Sequence, residues 1–325
     1  MGKAAGGVES ESLRERPVGR FAPSPTGVLH LGNLRTALAS WLSVKSRGGA
    51  WILRIEDVDR GRSRPEFAER QIRDLAALGM ESDVPVLQQS LRDPAYQAAL
   101  AHLHARGLLY ACACTRKDLA LLASAPHVED GLRPYPGTCR AGRLESLSPG
   151  ALRFRMPEGE VAWTDLVLGL QRDDPGALTG DPLLHRRDGC FAYHLAVVVD
   201  DGEQGVTEVV RGGDLRTSTA THIRLQEALG CAQPVYAHVA LIESPEGVRL
   251  GKRSGALGLS ELRAMGHSAS EILGWLGFSL GCLERPEPCT AEELVSAFSW
   301  DRVPDQEAHP PRLKAMGEWI RGLRA

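Results

Sequence analysis

The chain reads as an α/β protein, a parallel sheet with helices on its faces, split by an insertion and closed by short helices. Three observations carry that reading. Residues 19–107 alternate strand and helix signals, the order that builds parallel sheets. The same pattern resumes at 192–230. Between them lies a stretch with cysteines, scattered prolines and only short strand signals.

In chain order, residues 1–17 lack periodicity and read as a mobile tail. Gly19–Ala22 is a short strand that Pro23 and Pro25 end in a turn with Gly27. Leu31, Leu34, Leu38, Trp41 and Leu42 recur at helical spacing, which predicts a helix from His30 to about Lys45. Trp51–Ile55 is a compact strand running into Glu56-Asp57, and helices follow over about Pro65–Leu78 and Pro94–Gly107. Residues 109–187 form an α+β insertion with its own small fold, including a strand near Ala151–Met156. The run from Ala192 to Asp200 is apolar enough for a buried central strand. Val206–Arg211 is a further strand, and Thr219–Gly230 a helix that Gly230 closes. Residues 188–247 thus complete the sheet begun by 18–108. Residues 248–325 hold a glycine-rich basic loop and short helices such as Pro311–Leu323.

Composition narrows the function. With 325 residues, two or three units are expected. A net charge of -3 excludes a protein that is basic all over, and 5% aromatic residues argue against a stacking platform for single-stranded nucleic acid. No apolar run approaches the roughly 18 residues needed to cross a bilayer. The polar N-terminus lacks the apolar core of a signal peptide, so a cytoplasmic protein without membrane contact is expected. Seven unevenly spread cysteines are no disulfide framework. Only five of the 38 basic residues are lysines, which draws notice to each one.

Two motifs carry chemistry. In Arg20–Asn33 a strand runs into a proline turn and delivers His30 to the start of a helix. Unpaired N–H groups there favour phosphate. Gly27 and Gly32 let a ring or phosphate approach the backbone, and His30 and Asn33 can donate to phosphate oxygens. Far downstream, Arg249-Leu250-Gly251-Lys252-Arg253-Ser254-Gly255 places cations among glycines, suited to clamping a polyphosphate. It is not a Walker A sequence. A third signal is Cys112-x-Cys114 with Cys139: three thiols, where structural zinc wants four ligands. The missing ligand by base rate is a histidine, and His127 lies in the intervening loop.

Together the first two motifs resemble the HIGH and KMSKS signatures of class I aminoacyl-tRNA synthetases, here His30-Leu31-Gly32-Asn33 and Leu250-Gly251-Lys252-Arg253. Arg20–Asn33, Arg54-Ile55-Glu56-Asp57, Tyr193–Asp201 and Val210–Asp214 resemble the glutamyl branch, in its order. The resemblance implies a Rossmann-type catalytic domain split by the insertion. It places Arg20, Ser24, Glu56, Tyr193 and Arg211 around glutamate, and Gly27, His30, Gly32, Asn33 and Lys252 around ATP with Mg²⁺. His30 and Lys252 would stabilise the transition state. The residue chemistry agrees: two arginines suit two carboxylates, Glu56 the ammonium, Tyr193 and Ser24 neutral hydrogen bonds. On a strand His194 would face away from Tyr193, so it stays outside this set. Gly251 stands where a serine is common, and Arg249 replaces the first lysine.

Tyr135-Pro136-Gly137-Thr138-Cys139 resembles the branch of paralogues that transfer glutamate to queuosine. That resemblance implies one structural Zn²⁺ held by Cys112, Cys114, Tyr135 and Cys139. The chain also ends about seventy residues past Gly255, which leaves no anticodon-binding domain expected. Membership of that branch would imply glutamate activation without tRNA. It would also imply transfer to queuosine at the wobble position of the tRNA(Asp) anticodon stem-loop, by a monomer. Two other readings fit the residues: a truncated glutamyl-tRNA synthetase charging a 3′ end, and a catalytically silent RNA-binding paralogue.

Overall fold

The computed structural model describes residues 16–115, 118, 134–142, 144, 146, 147, 150–242, 257–305 and 311–323. Strands β1 (Val18–Phe21) and β2 (Ala50–Ile55) flank helix α1 (Leu31–Lys45) in sequence and pair in parallel, Arg20 opposite Ile52. Helix α2 (Pro65–Ala76), strand β3 (Leu87–Gln88) and helix α3 (Asp93–Ala105) come next. Then come β4 (Leu109–Cys112), β5 (Ala151–Phe154), β6 (Val161–Asp165), β7 (Gly169–Asp173), the short helix α4 (Pro175–Leu178) and β8 (Leu183–His185). The second half holds α5 (Tyr193–Glu203), β9 (Glu208–Gly212), α6 (Thr219–Leu229) and β10 (Val235–Val239). Helices α7 (Leu259–Ala264), α8 (Ala269–Ser279), α9 (Ala291–Val295) and α10 (Pro311–Gly322) end the chain.

The main sheet has seven strands in the order β3-β2-β1-β9-β10-β6-β7, all parallel except the β6–β7 hairpin. This is the Rossmann-like doubly wound plan. Two strands at one edge correct the expectation of a self-contained insertion. β4, β5 and β8 do make a separate antiparallel sheet, but β6 joins β10 through Tyr236 opposite Asp165. Strands β6 and β7 therefore extend the main sheet.

A second correction concerns Ala192–Asp200, expected as a strand. Residues Tyr193–Glu203 are helical, and Leu195 through Asp201 are all buried. An apolar run covered on every side carries no period, so helix and strand cannot be told apart in it. Helix α5 packs with α3 and α6 through Tyr96, Leu100, Leu103, Val198, Leu225 and Ala228.

Register sorts the sheet's two faces. Phe21, Trp51, Leu53, Val210, Ala237 and Val239 point one way and meet Leu34, Leu38 and Leu42 of α1 in the largest core. The terminal helices join that core through Leu262, Ile272, Leu276, Met316 and Ile320. Arg35 of α1 is fully buried there and donates to the carbonyls of Ala240 (2.8 Å) and Ser279 (3.2 Å). Side chains alternate along a strand. Arg20, Arg54, Val209, Arg211, Tyr236 and His238 therefore share the opposite face, under α5 and α6.

Candidate active site

Nearest neighbours in the sheet's centre, β1 and β9, continue into helices on opposite faces. Open α/β sheets leave a crevice beyond the strand ends at such a point. A cleft of about 480 Å³ lies there. Its lining includes Arg20, Ser24, His30, Gly32, Asn33, Glu56, Tyr193 and Arg211, so eight of the expected site residues meet in one place. Gly27 is not among the lining residues; it sits in the turn beside the cleft, where its carbonyl accepts from Gln71. Lys252 and the rest of the 249–255 loop lie outside the described residues, as does His127.

The proline turn is pinned from three sides. Pro23 O accepts from the Glu56 N–H at 2.9 Å and Pro25 O from the Arg64 N–H at 3.0 Å. Gln71, buried on α2, donates Nε2 to Ser24 O (3.1 Å) and Gly27 O (2.8 Å). Such a turn fixes where α1 starts. His30 caps that helix: its Nδ1 accepts from the Asn33 N–H at 3.3 Å, and Asn33 Oδ1 accepts from the His30 N–H at 3.2 Å. An accepting Nδ1 puts the ring proton of the neutral imidazole on Nε2. A Cβ on Gly32 would lie 3.0 Å from the His30 ring, so glycine keeps that ring in place.

Charge is organised in two groups. Arg54 is fully buried; its Nη2 lies 2.7 Å from Asp201 Oδ1 and 3.3 Å from Glu56 Oε1. Arg20 reaches the same Asp201 oxygen at 3.3 Å and donates to Val210 O at 3.3 Å. Burial pushes the Glu56 carboxyl up, and Arg54 and Arg20 do not fully offset it. Asp201 feels the same burial, but the two arginines outweigh it and its carboxyl stays below the usual range.

Arg211 has different company. Its Nε donates to His238 Nε2 (3.0 Å), Nη1 to His222 Nδ1 (3.2 Å) and Nη2 to Thr219 Oγ1 (2.8 Å). Nη1 also lies 3.5 Å from Tyr193 Oη. Among the described residues no carboxylate touches it directly; Asp165 stands one step behind, accepting from His238 Nδ1 at 2.6 Å. Because guanidinium only donates, His238 Nε2 and His222 Nδ1 must both accept. His222 then carries its proton on Nε2 and donates to His194 Nδ1 at 3.0 Å. Burial, helped by Arg211, holds His222 well below the usual imidazole range and His194 down to about 4. Four of the five Arg211 N–H groups are thus directed at neutral acceptors, with its charge uncancelled at contact distance among the described residues.

For His194 only the strand premise is corrected; it stays outside the cleft lining, as expected. In the first turn of α5 it lies beside Tyr193, ring centroids 5.5 Å apart, as part of the relay behind Arg211. Sequence reasoning also missed Arg54, Gln71, Asp165, Asp201, Thr219, His222 and His238. One signal was available: Arg54 and His238 interrupt otherwise apolar strands.

The cysteine group lies apart from the cleft, around the small sheet. Cys112, Cys114 and Cys139 bring their sulfurs within 4.8 Å of one another, an arrangement that could hold a metal ion. Tyr135 Oη lies 3.5 Å from Cys114 Sγ and 3.6 Å from Cys112 Sγ, and it accepts from the Cys139 N–H at 2.9 Å. Gly180 makes room for this segment: at φ +68, its Cβ would fall 2.3 Å from Tyr135 O. Hydrogen bonds from Tyr135 and the Ala113 backbone hold the Cys139 thiol down to about 7.

Comparison with known proteins agrees with this layout. The family model for the catalytic domain of class I tRNA synthetases (E and Q) matches residues 18–309. The glutamyl-Q tRNA(Asp) synthetase of Symbiobacterium thermophilum is 46% identical over 311 residues, 90% of this chain and 95% of that one. The protein of the same name from Geobacter sulfurreducens is 47% identical over 256 residues, 79% of this chain and 82% of that one. A glutamate tRNA ligase from Elizabethkingia meningosepticum, solved in complex with its amino acid, superposes with a TM-score of 0.78 at 28% identity. The match covers 94% of this chain and 69% of that one. With its cleft at the head of a doubly wound sheet and these relatives, the chain belongs to the glutamyl-Q tRNA(Asp) synthetase family of class I ligases.

Proposed function

We propose that the enzyme activates glutamate with ATP in the absence of tRNA and passes it to the queuosine base at the wobble position of tRNA(Asp). The observation that carries the amino-acid half is the split of charge in the cleft. One end, Arg20 with Glu56, offers a cation and an anion. The other, Arg211, offers a guanidinium that, among the described residues, only neutral groups touch. A zwitterion with one extra carboxylate matches both ends. Glu56 takes the ammonium, Arg20 and Arg211 the carboxylates, and Tyr193 and Ser24 add hydrogen bonds.

A glutamate carboxylate oxygen then attacks the α-phosphorus of ATP, the bond to pyrophosphate breaks, and glutamyl-adenylate forms. The α1 N-terminus with Gly27, Gly32 and Asn33, the His30 Nε2–H and Lys252 stabilise charge on the phosphates. Mg²⁺ accompanies ATP and neutralises part of its charge. A queuosine hydroxyl next attacks the acyl carbon and AMP leaves, so no enzyme nucleophile is needed. The queuosine acceptor rests on the kinship with proteins named for it. On this reading the enzyme is a cytoplasmic monomer that acts on the anticodon stem-loop.

The Cys112, Cys114, Tyr135 and Cys139 group fits Zn²⁺. In a tetrahedral site the ligand edges are about 3.8 Å between sulfurs and about 3.5 Å between sulfur and oxygen. Cys114–Cys139 at 3.6 Å and the Tyr135 contacts at 3.5 and 3.6 Å are close to both. Protein as purified should carry about one equivalent of zinc.

Glutamate-dependent ATP–pyrophosphate exchange without tRNA tests the activation step. Robust exchange is expected. A requirement for tRNA(Glu) would favour a truncated glutamyl-tRNA synthetase, and no exchange under any condition a silent paralogue.

A further inference from the structure

Arg153 is a buried cation that no carboxylate contacts among the described residues. It lies on β5 opposite Tyr110, on the face of the small sheet that also carries Cys112, and is 7% exposed. Its Nε donates to Cys112 Sγ at 3.3 Å, its Nη1 to the Asp181 backbone carbonyl at 2.6 Å. The guanidinium carbon stands 3.6 Å from the centroid of the Tyr135 ring, over the phenol. The nearby Asp181 carboxylate is engaged elsewhere, by Tyr110 Oη at 2.7 Å, the Met156 N–H at 2.8 Å and Arg140. Among the described residues Arg153 makes no ion pair. A buried charge with no counter-charge costs several kcal/mol by order of magnitude, so something must balance it.

We propose that the metal centre is that counter-charge and that Arg153 is its positioning and charge-balancing residue. The inference rests on the zinc reading above. Three thiolates and a phenolate around Zn²⁺ sum to a charge of about −2, which a site this secluded cannot leave to water. Arg153 touches two of the four ligands: it hydrogen-bonds one sulfur and covers the ring whose oxygen must lose its proton. Both contacts strengthen as those groups become anionic.

The test is zinc affinity of the full chain, by competition with a chromogenic chelator, alongside the tyrosinate absorption that zinc induces. For Arg153→Gln, affinity should fall about tenfold or more, as is typical when a group behind metal ligands is removed. The tyrosinate signal should weaken, and Arg153→Lys should recover part of both. Affinity and tyrosinate signal within about threefold of the parent in Arg153→Gln would overturn the inference while leaving the zinc site standing. A parent protein that takes up no zinc would overturn both together. If Arg153→Gln does not fold, the parent still answers. Exchange of the Arg153 Nε–H, followed by NMR, should slow when zinc is added to metal-free protein. Unchanged exchange would overturn the inference.

Discussion

Replacing Asp165 by asparagine should weaken glutamate binding without touching the cleft. Asp165 Oδ1 accepts the N–H groups of Val167 and Leu168, each at 3.0 Å. Those two donors fix which end of an asparagine amide faces them, so the NH₂ group must take the place of Oδ2, against His238 Nδ1. Two donors cannot share that 2.6 Å contact. His238 must then shift its proton to Nε2, where it opposes the Arg211 Nε–H. One hydrogen bond to a charged group is lost, about 1.5–3 kcal/mol. At about 1.4 kcal/mol per tenfold, the KM for glutamate in pyrophosphate exchange should rise roughly 10- to 150-fold. The KM for ATP should change less than about threefold, since the phosphates are proposed to sit at α1. Glutamate KM within about twofold of the parent would refute the bracing of Arg211 through His238.

Three further perturbations probe other parts of the site. Arg54→Met strips Asp201 and Glu56 of their main buried partner and should cost about 3–5 kcal/mol in urea unfolding; a loss under about 1 kcal/mol would contradict the charge cluster. Lys252→Ala should lower glutamate-dependent exchange at least about tenfold, and near-normal exchange would remove the 249–255 loop from the site. His194 is held to about 4 against an ordinary 6.5. Between those values the unfolded chain binds the extra proton, so this histidine's stabilisation is complete above 6.5 and is lost as pH falls toward 4. Thermal melts of the parent and His194→Gln should diverge least below pH 4 and most above 6.5; a constant offset would refute a His194 held neutral in the folded state.

The first half of the fold was legible because its signals are local. Pro23 and Pro25 mark a turn, α1 shows a 3.6-residue period, and Trp51–Ile55 is short, apolar and β-branched enough to be a strand. Helix α5 was not, because burial on all sides erased its period, although His194 still falls outside the cleft lining, as expected. The cleft-lining residues could be read from their motif, whereas the braces behind them could not. Asp165 and His238 are 73 positions apart in sequence, and only the pairing of β6 with β10 brings them together. The cysteines announced themselves by spacing. Arg153 did not, because a lone arginine on a short strand looks like any solvent-facing residue until the Tyr135 segment folds over it.

Charging of tRNA(Asp) that contains queuosine, against the same tRNA without it, tests the central claim most directly. Radiolabelled glutamate is expected on the queuosine-containing tRNA alone, and it should still be incorporated after the 3′-terminal nucleotides are removed. Equal charging of both tRNAs, or charging lost with the 3′ end, would contradict transfer to the wobble base.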